Sequence, residues 1–453
     1  MISKAVTIIN AFFTKGDTRS INAKKNIVSS FITKVASIGV SLLVVPLTIH
    51  YVNVVQYGIW LTLSSIIAWF NFFDIGFGHG LRNKFAESVA KGKYKLARIY
   101  VSTTYAILAL ISTGAIAIFF VLNHYLNWSR ILNTPGNLNA DLQLLALVVF
   151  VCFCIQFVLQ LITIILTADQ QPAKAAFFKL LGNVLSLLVI FILTKTTRGN
   201  LIALGLSLGA MPIMVLLASS SWFYSHEYKR YAPSFSYVRF KFSKDLLNLG
   251  GKFFIIQIGA LVLFQTDNII VTQVFGAKEV TTFNVAYKLF SVILMIFTIV
   301  STPLWSAYTD AYARNDIVWI QRSLQKLQLF WIGIIFSSVL LLVVSPFVFH
   351  LWIGDSVSIP FSLSLAMVLY VITYTWQTIH VSLLNGIGKI KLQLYLVVAS
   401  ALVNIPLAFL LGKTIGLAGI SLANSITFIG IGIVFFIQTR KIINNNAKGI
   451  WNA

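Results

Sequence analysis

The sequence predicts an all-α polytopic membrane protein of about 12 transmembrane helices, arranged as two six-helix bundles related by a pseudo-twofold along the membrane normal. Three observations predict it. Of the 453 residues, 58% are hydrophobic and only 10% are charged, and a soluble domain of that composition would lack a polar surface. Apolar runs of about 20 residues recur along the chain, long enough to cross a ~30 Å hydrocarbon core as helices and too long for barrel strands. A shift of 223 residues then lays the first half on the second. Phe85-Ala86-Glu87 meets Tyr308-Thr309-Asp310, Val89-Ala90-Lys91 meets Tyr312-Ala313-Arg314, Gln56 meets Glu279 and Trp60 meets Phe283. Six helices in each half insert both halves with the same orientation.

Taken in order, residues 1–26 form a cytoplasmic or interfacial segment. Ile2, Val6, Ile9 and Phe13 recur at helical spacing beside Lys4 and Lys15, which suits either a helix lying on the membrane surface or an unstructured tail. No small-residue cleavage site follows, so a signal peptide is not expected. The N-terminal bundle, 27–221, holds spans near 27–49, 57–78, 99–122, 142–166, 176–194 and 200–221. A basic cytoplasmic linker, 222–249, joins it to the C-terminal bundle, 250–437, with spans near 250–273, 280–302, 328–349, 361–384, 392–412 and 416–437. Residues 438–453 are a cytoplasmic tail. Cys152 and Cys154 lie within an apolar run and read as packing, with no metal expected. The run Gly76-Phe77-Gly78-His79-Gly80 follows a membrane helix rather than a strand, so it reads as a helix terminator or a close-packing device.

The net charge of +22, from 34 Lys and Arg against 12 Asp and Glu, would suggest nucleic acid in a soluble chain. Its distribution points elsewhere. Twenty-seven of the basic residues fall in alternate loops and the two termini, five fall in the opposite loops, and Lys34 and Lys288 lie within spans. That asymmetry places both termini in the cytoplasm. It is a topology signal reinforced by anionic lipid headgroups, and no nucleic-acid partner is expected.

Polar residues at spacings of three and four mark helix faces turned from lipid. Gln156, Gln160, Thr163 and Thr167 form one stripe, Asn284, Lys288, Ser291 and Thr298 a second, and Tyr370, Tyr374, Gln377 and His380 a third. Each suits interhelical hydrogen bonding, and together they suit a hydrated interior. Lys34 reads as a cavity cation or as a snorkelling side chain. Asp267 and Lys288 fall at similar depth, so they could form a buried ion pair acting as a latch or a gate. Asp74 reads as a helix-end cap. His380 suits either a hydrogen-bonded interior histidine or a proton relay. P-loop, H-E-x-x-H and G-x-S-x-G motifs are absent, so no enzyme is expected.

The stretch F-D-I-G-F-G-H-G-L-R-N-K-F-A-E-S-V-A-K-G, Phe73 to Gly92, resembles the segment after the second helix of Wzx-type polysaccharide flippases. T-P-L-W-S-A-Y-T-D-A-Y-A-R-N-D, Thr302 to Asp316, resembles the segment after their eighth helix. The resemblance, which covers essentially the whole chain, places it in the multidrug/oligosaccharidyl-lipid/polysaccharide (MOP) exporter superfamily. It implies alternating-access translocation of an undecaprenyl-pyrophosphate-linked oligosaccharide, an O-antigen or capsule repeat unit, across the bacterial inner membrane. No cofactor is implied beyond a coupling H+ or Na+. Membrane lipids, a polysaccharide polymerase and a chain-length regulator are the implied partners. Lys34 and Lys288 would attract the pyrophosphate, with Asp267, Gln156, Gln160 and His380 along the path. Asp74, Arg82, Asn83, Glu87, Asp310 and Arg314 carry over as the cytoplasmic motif that controls the inward gate.

A drug/cation antiporter of the same superfamily is the nearest alternative, and it would want cavity carboxylates, of which Asp267 is the candidate. A membrane glycosyl polymerase or ligase would want a large catalytic loop outside. The longest such loop, Asn123–Asp141, holds one His, one Arg and one Asp.

Overall fold

A computed structural model describes residues 18–70, 76–247 and 266–452. Every regular element among these residues is helical. In chain order the helices longer than one turn are α1 Thr18–Val52, α2 Val54–Ala68, α3 Phe77–Ala90, α4 Tyr94–Tyr125, α5 Asn139–Leu159, α6 Leu161–Ala168, α7 Pro172–Thr196 and α8 Leu201–Ser225. There follow α9 at 266–275, then α10 Ala277–Ala313, α11 Ile317–Ile353, α12 Phe361–Gly386, α13 Lys391–Ile415 and α14 Leu417–Ile443. Ten stretches among the described residues are long and apolar enough to cross a membrane, and α2 is a shorter apolar helix. The segment Ile2–Phe13, Asp74 and most of the expected seventh span lie outside the described residues.

Local chemistry sets many of the breaks. Asn53 adopts a left-handed φ of 97°, separating α1 from α2, and its side chain accepts from the Gln56 amide at 2.9 Å. Asn200 caps α8 by accepting from the amides of Ile202 and Ala203, and Asp316 caps α11 by accepting from Trp319. Such caps satisfy amides that the first helical turn leaves open. At Gln160 the chain tightens, because the Thr163 amide donates to the Gln160 carbonyl three residues back. This bends the expected fourth span into α5 and α6.

The chain divides into two compact units. The first comprises Met1–Tyr51, Asn71–Leu126 and Ala140–Phe254, and the second Val52–Phe70, Asn127–Asn139 and Ile255–Ala453. This differs from a division at the 222–249 linker, because α2 packs with the second unit. A Cβ on Gly58 would lie 1.7 Å from the Ala277 carbonyl oxygen, so only glycine lets α2 approach α10 this closely. Thr281 donates to the Val54 carbonyl at 2.7 Å, and the hydroxyls of Thr62 and Thr272 lie 2.6 Å apart.

Within the first unit, the expected linker is a strap bound to the helices. The Arg98 Nε donates to the Ala232 carbonyl at 2.9 Å, and the Ser234 and Arg239 amides donate to the Ser102 and Thr103 hydroxyls. Tyr228 donates to the Asp169 carboxylate at 2.8 Å. Burial and that acidic neighbour both push the Tyr228 phenol upward. Leu246 is fully buried beside Gly80, where a Cβ would lie 2.2 Å from the Leu246 carbonyl oxygen. Gly76, in a left-handed conformation with φ 82°, precedes α3. Close packing, one of the two roles read from the glycine run, is therefore in use at Gly80, while Gly76 begins a helix. Cys152 and Cys154 are free, Cys154 buried, and a Cβ on Gly209 would press on Cys152.

Candidate functional site

A polar chamber of about 330 Å³ in the second unit is lined by one of the expected site residues, Asp267. Ser64 and Ser65 of α2, Asp267 and Asn268 of α9, Asn284 and Tyr287 of α10 and Tyr370 of α12 line it. Two hydrogen-bonded chains organise these side chains. In the first, Asn284 donates to Asn268 Oδ1 at 2.6 Å, and Asn268 Nδ2 donates to the Ser65 hydroxyl at 2.7 Å. In the second, Asn404 of α13 donates to Asn424 of α14 at 2.9 Å, and Asn424 donates to Asp267 Oδ2 at 2.7 Å. Tyr287, Tyr370 and Tyr374 pack as an aromatic wall, with 5.8 Å between the first two ring centroids.

Asp267 is only 8% exposed, and its Oδ1 is buried with no hydrogen-bond partner among the described residues. The Ser64 hydroxyl is likewise unpartnered. A carboxylate can accept several hydrogen bonds, so with Oδ2 bonded once, the open Oδ1 is a defined acceptor. A proton or a small cation matches that acceptor, because it cancels the cost of a buried anion.

The expected Asp267–Lys288 ion pair is not formed among the described residues, whose salt bridges include neither side chain. Phe283, Asn284 and Tyr287 line the chamber, whereas Lys288 is half-buried and is not among its lining residues, and Asn424 takes the place beside Asp267 Oδ2. Lys34 is exposed on α1, while Gln156 and Gln160 are half-buried at the bend between α5 and α6.

His380 is buried at 1% exposure in a different cavity, beside Thr439 and Arg440 of α14. Asp267 and His380 are therefore not brought together.

Of the motif residues, Arg82, Asn83 and Glu87 are exposed on α3, and Arg314 is exposed at the end of α10. The side chain of Asp310 and the whole of Asp74 lie outside the described residues. Glu87 pairs with Lys91 at 2.6 Å and Lys84 at 3.2 Å. Those bonds hold its carboxyl below the usual range and raise the Lys84 amine. The apolar positions of the two motifs carry the packing. Phe85 and Tyr308, equivalent at the 223-residue offset, are both buried aromatic anchors. Thr309 donates to the Gly386 carbonyl at 2.7 Å, fixing the second motif to α12.

Asn268, Asn404 and Asn424 are absent from the sequence-derived set. An Asn inside an apolar span is the signal that could have found them, since an amide in lipid needs a partner.

The sequence profile described as polysaccharide biosynthesis protein matches residues 23–307. The chain belongs to this family. A second profile, MatE, matches residues 253–410. A Salmonella typhi protein named "Putative O-antigen transporter" is 22% identical over 428 residues, covering 91% of this chain and 96% of that protein. A Salmonella typhimurium protein of the same name is 21% identical with the same coverage. Among solved structures, an inward-facing multidrug resistance MATE family transporter of the MOP superfamily superposes with a TM-score of 0.78. It is 14% identical, covering 90% of this chain and 95% of that one. An outward-facing member gives a TM-score of 0.67 at 17% identity, covering 96% and 98%. At such identities the likeness is one of fold. The resemblance to Wzx-type members of the MOP superfamily is thus borne out, and this polysaccharide biosynthesis family member is a multi-pass membrane transporter.

Proposed function

We propose that this chain is a flippase for polyprenyl-pyrophosphate-linked oligosaccharide, moving an O-antigen or capsule repeat unit outward across the bacterial inner membrane. The observation that carries the reading is the end-to-end similarity to the Salmonella O-antigen transporters, on a chain whose own family is polysaccharide biosynthesis. The distribution of basic residues supports an orientation with both termini in the cytoplasm. Lys34 and Lys288, the basic residues within the expected spans, would draw the pyrophosphate. The open carboxylate oxygen of Asp267 supports coupling of translocation to a proton or sodium ion. A polysaccharide polymerase and a chain-length regulator would act on the delivered unit.

Deleting the gene in its own bacterium tests this reading. The expected result is loss of surface polysaccharide and accumulation of the lipid-linked oligosaccharide on the inner leaflet, both reversed by the parent gene. Unchanged polysaccharide with increased sensitivity to cationic drugs would favour the antiporter reading, which the MatE profile and the buried Asp267 support.

A further inference from the structure

We propose that the cavity between α11, α12 and α14 binds the phosphate group of an anionic membrane lipid. The cavity encloses about 340 Å³ and shares no lining residue with the Asp267 chamber. The sequence builds it from two helical stripes. Gln321, Gln325 and Gln328 follow one face of α11, and Phe436, Thr439 and Arg440 follow one face of α14. His380 of α12 closes the wall between them.

Its open groups include two donors beside one imidazole acceptor nitrogen. Both ring nitrogens of His380 and the Thr439 hydroxyl are buried without a hydrogen-bond partner among the described residues. A neutral imidazole keeps one N–H, a hydroxyl one O–H, and each glutamine amide two N–H groups. Arg440 is the charged lining residue, and no carboxylate among the described residues lines the cavity. An unpartnered buried donor is unfavourable until an acceptor arrives. Phosphate supplies several acceptor oxygens, and arginine meets them with a two-pronged hydrogen bond. Arg322 and Lys326 adjoin the lining glutamines in the α11 sequence, and Lys441 follows Arg440 in the last turn of α14. A basic pocket between helices at such an end is where lipid headgroups bind. A sugar ring fits less well. The Arg440 guanidinium already lies 4.5 Å over the Phe436 ring, covering the aromatic face on which a sugar would stack. The inference does not depend on what the transporter carries.

Native mass spectrometry of the detergent-purified full chain tests it. Four probes are titrated: phosphatidylglycerol, undecaprenyl pyrophosphate, phosphatidylcholine and maltose. The expected result is that one of the two anionic lipids binds more tightly than phosphatidylcholine, and that Arg440→Gln weakens that binding about tenfold, as loss of a charge-assisted bond predicts. Gln325→Leu, on the exposed rim, weakens it as well without disturbing packing. Lys413→Gln, in the last turn of α13, leaves it unchanged. Tighter binding of phosphatidylglycerol identifies bulk lipid as the source of the phosphate, and tighter binding of undecaprenyl pyrophosphate identifies the carrier lipid. Equal binding of the zwitterionic and anionic lipids would overturn the proposal. So would parental affinity in both Arg440→Gln and Gln325→Leu, or displacement of the lipid by maltose.

Discussion

The chamber around Asp267 and the cavity around His380 are nearly equal in volume, about 330 and 340 Å³, and both lie in the second compact unit. Their chemistry is opposed. Around Asp267, asparagine side chains are spent on one another and on the carboxylate, leaving Asp267 Oδ1 as an open charged acceptor. Around His380, an arginine, three glutamines and two unpartnered donors face a space that no carboxylate among the described residues lines. Similar helices thus build one site suited to a cation and another suited to an anion. The difference comes from a few polar positions and not from hydrophobicity, which is alike in both walls.

That contrast can be broken at the walls first. Gly58→Ala puts a methyl group against the backbone carbonyl of Ala277, which cannot turn aside, so α2 must leave α10 and the chamber loses a wall. A cost of about 3 kcal/mol is expected, seen as loss of folded protein in fluorescence-detected size-exclusion chromatography. Gly432→Ala instead meets the edge of the Trp376 ring at 2.5 Å, near the His380 cavity. A ring can shift, so the cost falls to about 1 kcal/mol and the protein still folds. Equal damage from both substitutions would mean that the two walls are equally rigid.

The hydrogen-bond networks give the next effect. Asn424→Ala removes the donor that satisfies Asp267 Oδ2, and about 1–3 kcal/mol of stability should be lost, read as a lower thermal midpoint. Thr439→Val removes a hydroxyl that satisfies no partner in the resting cavity, so its midpoint should match or exceed the parent. A strongly destabilised Thr439→Val variant would show that the His380 cavity is internally bonded after all.

The smallest effect lies outside both cavities, at Glu87. Its carboxyl is depressed by Lys91 and Lys84, so its contribution is present above the ordinary carboxylate range and is lost as pH falls through the depressed value. Because Glu87 sits at the surface with solvent screening its pairs, Glu87→Gln should leave the thermal midpoint at neutral pH within error, and should only slightly flatten its fall below about pH 4.

Much of the architecture was legible in the sequence, because length and hydropathy alone define a span. Each described long helix coincides with an expected run, and the 223-residue offset correctly paired Phe85 with Tyr308 as buried anchors. Asp267 was legible too, since a carboxylate in an apolar run needs a reason. Its partner was not. Depth along a helix suggested Lys288, whereas the packing of the neighbouring helices selected Asn424, which is 157 residues away in sequence. The same limit separated His380 from Asp267. The strap at 226–247 read as a linker because its length and charge suit one. The hydroxyls that hold it, Ser102 and Thr103, looked like ordinary polar residues at the start of a span.

The central claim is that this transporter carries a pyrophosphate-linked oligosaccharide and couples its movement to a cation at Asp267. Reconstituting the purified chain in liposomes with a radiolabelled undecaprenyl-pyrophosphate oligosaccharide, under an imposed proton or sodium gradient, tests it most directly. The account predicts translocation that accelerates with one of these gradients, and an Asp267→Asn variant that folds normally but no longer responds to it. A parent protein that leaves the labelled lipid where it was added, or an Asp267→Asn variant with the full gradient response, would contradict the account.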